Sequence, residues 1–139
     1  MTVPLELTEL QIAIIRVLWE RGEASVAEVC EALQPERGLA QTTIATLLSR
    51  LERRGVVARR AEQRSYVYRA RVSETDVRES MVGGLTERMF AGDFTALVNH
   101  LLTSHEIAPG DLARLRAMID AAETDAAETD AQKNPTEDR

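Results

Sequence analysis

The segment from residue 41 to residue 69 limits the fold more than any other part of this sequence. Its first part, predicted as a helix over 41–54, has apolar residues that recur at helical spacing and are expected to face inward. They are Ile44, Leu47, Leu48 and Leu51. Gly55 is the expected left-handed residue after the helix. Two runs then follow, VVARR and SYVYR, separated by the residues AEQR. This pattern predicts a β-hairpin whose turn is AEQR.

The same segment carries most of the positive charge of the chain. Residues 41–72 contain eight arginines against two glutamates, a net charge of +6, although the 139-residue chain has a net charge of −6. Residues 1–40 have a net charge of −4 and residues 73–139 of −8. A basic block inside an acidic protein is typical of a surface that binds nucleic acid.

The outward face of the predicted helix is suited to approach a DNA groove. Small and hydroxylated residues at its N-terminal end could contact bases, and arginines further along the helix and on the hairpin could contact phosphates. The candidate DNA-binding residues are Gln41, Thr42, Thr43, Ala45, Thr46, Ser49, Arg50, Arg53, Arg59, Arg60 and Arg64. The alternative is an ordinary solvated helix face.

Two further helices are predicted before this segment. The first begins at Thr8, with Gln11 completing a capping box, and ends at Gly22. The second begins at Ser25, with Glu28 as its box partner, and stops before Pro35. Three helices followed by a hairpin predict a mainly α fold with a winged helix-turn-helix over residues 1–72. Both hairpin tyrosines, Tyr66 and Tyr68, are interpreted as packing residues, and contact with a base or sugar is the alternative.

Residues 73–122 show helical patterns only. A helix capped by Ser73 and Asp76, with a bend expected at Gly83 and Gly84, precedes two shorter amphipathic helices. About 50 residues are too few to bury these apolar stripes by themselves, so a second copy is the expected partner, and folding back on the first domain is the alternative. The candidate dimerisation residues are Val77, Met81, Leu85, Met89, Phe94, Leu97, Val98, Leu101, Leu102, Leu112, Leu115 and Ile119.

Residues 123–139 include the second half of a direct AAETD repeat and lack large apolar side chains. Such a segment cannot bury enough surface to offset the entropy of ordering. It is therefore predicted to be an acidic, disordered tail.

Several classes of site are not supported by the sequence. Cys30 is the single cysteine, which excludes an internal disulfide, and with only two histidines a zinc site is not expected. No catalytic constellation, phosphate loop or cofactor motif is present, so we expect no enzyme and no cofactor. No apolar run reaches the length of a membrane span, and the N-terminus has no signal-peptide pattern, so a cytoplasmic protein is expected.

Over roughly residues 5–122 the chain resembles the penicillinase-repressor family, the BlaI/MecI type of winged-helix repressor. The resemblance rests on LTELQIAIIRVLWERGEASVAEV, TTIATLLSRLERRGVV and YVYRA. Its most specific part is a T-x-x-T-L-x-x-R-L pattern. Here it is formed by Thr43, Thr46, Leu47, Arg50 and Leu51.

This resemblance implies a homodimer that binds a palindromic double-stranded operator through helix 3 and the hairpin, and that controls β-lactamase or antibiotic-stress genes. It also implies a membrane-bound sensor protease as a partner. The family's Asn-Phe cleavage position corresponds here to His100 and Leu101. The C-terminal Cys-x-Cys motifs of copper-responsive relatives are absent, which disfavours copper sensing.

One departure from the family's pattern concerns base readout. Ala45 stands where some relatives have arginine, and a small residue there could pack against a thymine methyl group. A rival hypothesis is a winged-helix module that binds protein and does not bind DNA specifically.

Overall fold

The computed structural model describes residues 5–133. Its elements follow one another as six helices and three strands. They are α1 Glu9–Arg21, β1 Ala24–Ser25, α2 Val26–Arg37, α3 Gln41–Arg53, β2 Val57–Glu62, β3 Ser65–Ala70, α4 Glu74–Phe90, α5 Phe94–Ser104 and α6 Asp111–Lys133. The chain divides into two compact units, of which the first ends at Asp93 and the second begins at Phe94.

Reciprocal capping boxes set the start of three helices, as the sequence predicts. In each box the hydroxyl of the capping residue accepts from a backbone N–H, and the side chain three residues later accepts from the backbone N–H of the cap. The pairs are Thr8 with Gln11 at α1, Ser25 with Glu28 at α2, and Ser73 with Asp76 at α4. The predicted helix starts are confirmed.

The end of α2 differs from the prediction. The helix continues through Pro35 to Arg37 instead of stopping before the proline. Pro35 lies in the last turn, where the missing N–H removes a single helical hydrogen bond. Gly38 then takes the left-handed conformation, with φ +55°, and its N–H donates to the carbonyl of Gln34 at 3.2 Å.

The junction between α3 and β2 is a tight glycine-based cap. Gly55 has φ +78°, and its N–H donates to Glu52 O at 3.0 Å. The N–H of Val56 donates to Leu51 O at 2.9 Å, and both of these side chains are fully buried. This pair of bonds is a Schellman motif with its hydrophobic contact, and it confirms the left-handed glycine.

The three strands form one antiparallel sheet in the order β1-β3-β2. We call the β2–β3 hairpin the wing. Its two-residue turn is Gln63 and Arg64, and Gln63 has φ +55°. Strand β1 was not predicted, because two residues, Ala24 and Ser25, are too few to show alternation.

The core of the first unit is continuous from α1 to α4. Its largest fully buried side chains come from α1, α2, α3, the α3–β2 junction and the start of β2. They are Ile14, Ile15, Leu18, Val29, Ile44, Leu48, Leu51, Val56 and Val57. Complete burial of such a side chain contributes roughly 1.5–3 kcal/mol. The indole N–H of Trp19 donates to Val72 O at 2.9 Å and ties the end of the sheet to α1.

Helix α4 belongs to the first unit, whereas the predicted domain boundary lies at 72/73. Val77 is only 4% exposed and lies in the core cluster, and Met81 packs against that cluster. The Leu5 N–H also donates to the Ser80 hydroxyl at 2.6 Å. Val77 and Met81 therefore pack inside the first unit, and their predicted role in dimerisation stays a prediction. Helix α4 continues without a break through the two glycines at 83 and 84.

The predicted disordered tail is corrected for residues 123–133, which continue α6 as helix to Lys133. Residues 134–139 lie outside the described residues. The AAETD repeats are rich in alanine and glutamate, whose helix propensity is high, so the segment can be helical without burying apolar surface. Within the described part of the chain, no helix is long and apolar enough to cross a membrane.

Candidate nucleic-acid interface

Helix α3 presents the predicted polar residues on its outer face. Gln41, Thr42, Thr43, Thr46, Arg50 and Arg53 are exposed, while Ala45 and Ser49 are half-buried. The opposite face is fully buried through Ile44, Leu48 and Leu51. The core thus fixes the rotation of α3 about its axis and holds the candidate reading face toward solvent.

A shallow groove of about 270 Å³ lies on this outer face. We call it the α3 groove. It is lined by Thr42, Thr43, Thr46, Leu47 and Arg50. Leu47, which was predicted to face inward, packs against the core, but it is only half-buried and also lines the groove. Leu47 is three residues before Arg50 and four after Thr43, so helical spacing places it on the same face as these two residues. The apolar pattern of α3 drew attention away from this spacing.

Thr46 has part of its hydrogen-bonding capacity occupied within the helix. Its hydroxyl donates to the carbonyl of Thr42 at 2.9 Å. The oxygen can still accept a hydrogen bond from a ligand, but its proton is engaged. Thr46 and Leu47 therefore make part of the α3 groove suited to methyl contacts.

Three of the candidate arginines are exposed and carry an uncompensated charge. Arg50 and Arg53 lie on α3, and Arg64 lies in the turn of the wing. Among the residues that the structure describes, none of these three forms an ion pair. Guanidinium groups in this state can contact phosphate without first losing a carboxylate partner.

Arg59 and Arg60, on β2, are instead held by carboxylates. Arg59 Nε lies 3.1 Å from a Glu52 carboxylate oxygen. Arg60 donates from Nε and Nη2 to the two oxygens of Glu23 at 2.8 and 2.9 Å, which is a bidentate pair. The five candidate arginines therefore fall into two classes: three without an ion pair and two held by carboxylates.

The ionisation of these pairs follows from their contacts. The hydrogen bond from Arg60 holds the pKa of the Glu23 carboxyl below its ordinary value. The pKa of Arg59 is raised, first by its hydrogen bond with the Tyr68 hydroxyl and then by the charge of Glu52. Both shifts favour the charged forms, so the Glu23 carboxylate and the Arg59 guanidinium remain ionised at neutral pH.

The two wing tyrosines differ in burial. Tyr68 is 4% exposed and belongs to the core, as predicted. Tyr66 is 47% exposed, and the Arg59 guanidinium lies over its ring at 4.2 Å from the centroid. Tyr66 thus packs against an arginine at the surface and not in the core.

The remaining candidate residues lie mostly on exposed helix surface. Leu85, Met89, Phe94, Val98, Leu101, Leu102, Leu112, Leu115 and Ile119 are exposed, and Leu97 is half-buried. Within the second unit, a groove of about 320 Å³ is lined by residues of α5, α6 and their connection, among them Leu102 and Leu115. His100 and Leu101, the candidate cleavage position, are exposed on α5. The described residues contain no cluster of side chains that could hold a metal ion.

The family model described as penicillinase repressor matches residues 7–121. The chain belongs to the penicillinase repressor family. Among curated members, the methicillin resistance regulatory protein MecI of Mammaliicoccus sciuri is 22% identical over 115 residues, which cover 83% of this chain and 94% of MecI. The penicillinase repressor of Bacillus licheniformis is 21% identical over 115 residues, covering 83% and 90%.

A solved structure outside these penicillinase repressor relatives supports the fold. The C80S mutant of MarR from Escherichia coli matches with a TM-score of 0.51 at 16% identity, over 86% of this chain and 79% of MarR. The DNA binding domain of the repressor BlaI also matches, with 25% identity over 55% of this chain and 93% of that domain and a TM-score of 0.48. The winged-helix fold predicted from the sequence is confirmed.

Proposed function

We propose that this protein represses transcription as a homodimer that binds a palindromic double-stranded DNA operator. The broader class is set by its family, since a penicillinase repressor is a DNA-binding transcriptional repressor. The observation that carries the proposal is the outer face of α3, which combines a polar groove with unpaired, exposed arginines. The proposed role is not enzymatic, and it requires the protein to reach the cytoplasmic chromosome.

The geometry of α3 suggests how DNA would be read. A helix inserted in the major groove contacts base edges with its N-terminal residues, and here those residues are Gln41, Thr42 and Thr43. Thr46 and Leu47 add a methyl-lined surface that suits the 5-methyl group of thymine. Arg50 and Arg53, one turn further on, would contact the phosphates at the edge of the groove.

The second unit supports the dimer in this proposal. Helix α5, all of whose residues are described, buries none of them, and it exposes Phe94, Val98, Leu101 and Leu102. Exposed apolar patches of this kind mark interaction surfaces. A second copy would cover them and would bring two α3 helices to two-fold related half-sites, about 34 Å apart on B-DNA.

The names of the relatives suggest which genes are controlled. MecI and the penicillinase repressors point to β-lactamase or other antibiotic-stress genes. We also propose release by a membrane-bound sensor protease that cuts at His100 and Leu101, which are exposed. A helical bond must unwind before a protease can bind it, so cleavage requires local opening of α5. Immunoblots after β-lactam treatment should show two fragments; an intact chain in derepressed cells would exclude this route.

A gel-shift titration of the full chain with sheared genomic DNA tests DNA binding. We expect log affinity to fall linearly with log salt, because each neutralised phosphate releases counterions. Arg50→Gln should weaken binding to all sequences and reduce the slope by about 1. Arg78→Gln is the matched control, because it removes the same charge from α4, outside the proposed interface.

Thr43→Val should alter sequence preference more than affinity for unrelated DNA, since it removes a hydroxyl at the α3 groove. Binding that is absent, or independent of salt, would reject the DNA-binding proposal. That result would favour the rival hypothesis of a module that binds protein.

A further inference from the structure

Two ion pairs hold the wing from opposite faces. Arg59 and Arg60 are consecutive residues of β2, so their side chains leave the hairpin on opposite sides. On one side Arg59 meets Glu52 of α3 at 3.1 Å. On the other side Arg60 makes its bidentate pair with Glu23, which precedes β1. The wing is therefore linked to α3 on one face and to the α1–β1 turn on the other.

The route of the Arg60 side chain can be read from the strand register. Arg60 lies opposite Val67 of β3, and Val67 lies opposite Ser25 of β1. Because β3 is the central strand, the Arg60 guanidinium must cross it near Val67 to reach Glu23. Val67 is 7% exposed although it lies outside the main core cluster. Val67 lies on this route, and arginine commonly covers apolar surface with its methylenes.

Arg59 is held by two groups on the other face. Glu52 contacts its Nε, and the Tyr66 ring lies under its guanidinium at 4.2 Å. In the strand register Arg59 also lies opposite Tyr68, which is a core residue. Arg59 therefore gives up both contacts if it turns toward a phosphate.

We propose that Arg59 and Arg60, with Glu52 and Glu23, form a clamp that fixes the wing against α3 and the α1–β1 turn, and that Arg64 is the wing's contact with phosphate. The inference rests on the proposed DNA binding and changes the role of two of its arginines. Arg59 and Arg60 are positioning residues. Arg64 lies in the turn, is exposed and forms no ion pair within the described part of the chain.

For a variant without the Glu23 charge, the clamp predicts weaker DNA binding, whereas simple electrostatics predicts stronger binding. Removing the negative charge of Glu23 should strengthen the attraction of the protein for a polyanion if charge alone matters. If Glu23 positions the wing, its removal loosens the hairpin and weakens binding. Glu23→Gln therefore separates the two mechanisms by the direction of the change.

The first experiment measures the affinity of the full chain for a DNA duplex recovered by its binding from sheared genomic DNA. We expect Glu23→Gln and Glu52→Gln to lower affinity about three- to fivefold, the range of a lost surface pair. Glu20→Gln is the control: Glu20 is exposed, lies near Glu23 in the chain and forms no ion pair among the described residues. Unchanged or higher affinity for Glu23→Gln overturns the clamp.

The slope of log affinity against log salt then distinguishes positioning from phosphate contact. Arg64→Gln should reduce the slope by about 1, because one phosphate contact is lost. Arg60→Gln should weaken binding and leave the slope unchanged. A reduction of about 1 in the slope for Arg60→Gln would identify Arg60 as a phosphate ligand and overturn the proposal.

Hydrogen exchange in the DNA-free protein provides a test that does not depend on binding. Glu23→Gln should accelerate exchange of the β1–β3 and β2–β3 amides, relative to Glu20→Gln, because the clamp holds these strands. Equal exchange in both variants overturns the clamp even if DNA binds well. Failure of the unmodified protein to bind DNA rejects the proposed function, whereas binding with unaltered affinity in Glu23→Gln rejects only the clamp.

Discussion

The two compact units differ in what their apolar side chains contact. In the first unit, α1, α2, α3, the sheet and Val77 of α4 share one continuous core. In the second unit, Phe94, Leu101, Met118 and Ile119 remain 48–66% exposed. The first unit satisfies the requirement for burial within one chain. The second has regular helices whose apolar side chains stay exposed, and the proposed homodimer would cover them.

Replacing a core residue of the first unit should give the largest effect on stability. Leu48 is fully buried between α3 and the rest of the core. Leu48→Ala should lower the free energy of unfolding by about 2–5 kcal/mol, the loss expected for a leucine that leaves a cavity. Thermal unfolding followed by circular dichroism measures it. Val82→Ala, at a position 47% exposed, should stay within about 0.5 kcal/mol. Equal losses for the two variants would contradict the assignment of the core.

A substitution in the second unit should change association and leave the first unit intact. Leu115→Glu places a charge on the apolar face of α6 that also lines the second-unit groove. We expect the dimer dissociation constant to rise at least about 30-fold, the loss of a strong interface residue. Sedimentation equilibrium measures this shift.

Ala117→Glu is the control for this substitution, because it adds the same charge two residues away, toward the other side of the helix. If both variants dimerise equally, the apolar face of α6 is not the interface. If the unmodified chain is a monomer at micromolar concentration, the homodimer proposal fails.

Two glycines of the first unit should respond to alanine in opposite directions, by smaller amounts. Gly55 has φ +78°, so Gly55→Ala should cost about 1–2 kcal/mol through left-handed strain. Gly83 lies inside α4, and an added methyl group would meet no described atom within 4 Å apart from its chain neighbours and the nearby helix backbone, so Gly83→Ala should add about 0.5–1 kcal/mol. Chemical denaturation compares the two. A stabilising Gly55→Ala would show that the tight cap does not form.

Local signals in the sequence predicted the helix starts and the wing well. The capping residues Thr8, Ser25 and Ser73 bond to partners three residues away, and Gly55 sets the backbone conformation of its own turn. These features can therefore be predicted without tertiary information. The core face of α3 also followed from the spacing of Ile44, Leu48 and Leu51.

The features that the sequence did not reveal depend on residues distant in the chain, or on how far a helix continues past a proline. Strand β1 exists because β3 pairs with it, and Val77 is buried because α4 folds back on the core. Pro35 is tolerated in α2 because it lies in the last turn of the helix, which ends at Arg37. In the candidate interface, the periodicity placed the arginines correctly on the surface. It did not show that Arg59 and Arg60 find carboxylates contributed by α3 and the α1–β1 turn.

The short cap between α3 and the wing has a consequence for the thermodynamics of recognition. Only residues 54–56 separate the helix from β2, and two backbone hydrogen bonds with a buried leucine–valine contact fix them. In the proposed complex the cap, together with the ion pairs of the wing, would present helix and hairpin to DNA as one rigid body, with little conformational entropy left to lose on binding. Any adjustment of shape would then come mainly from the duplex, so sequences that bend easily should be favoured even where no side chain touches a base.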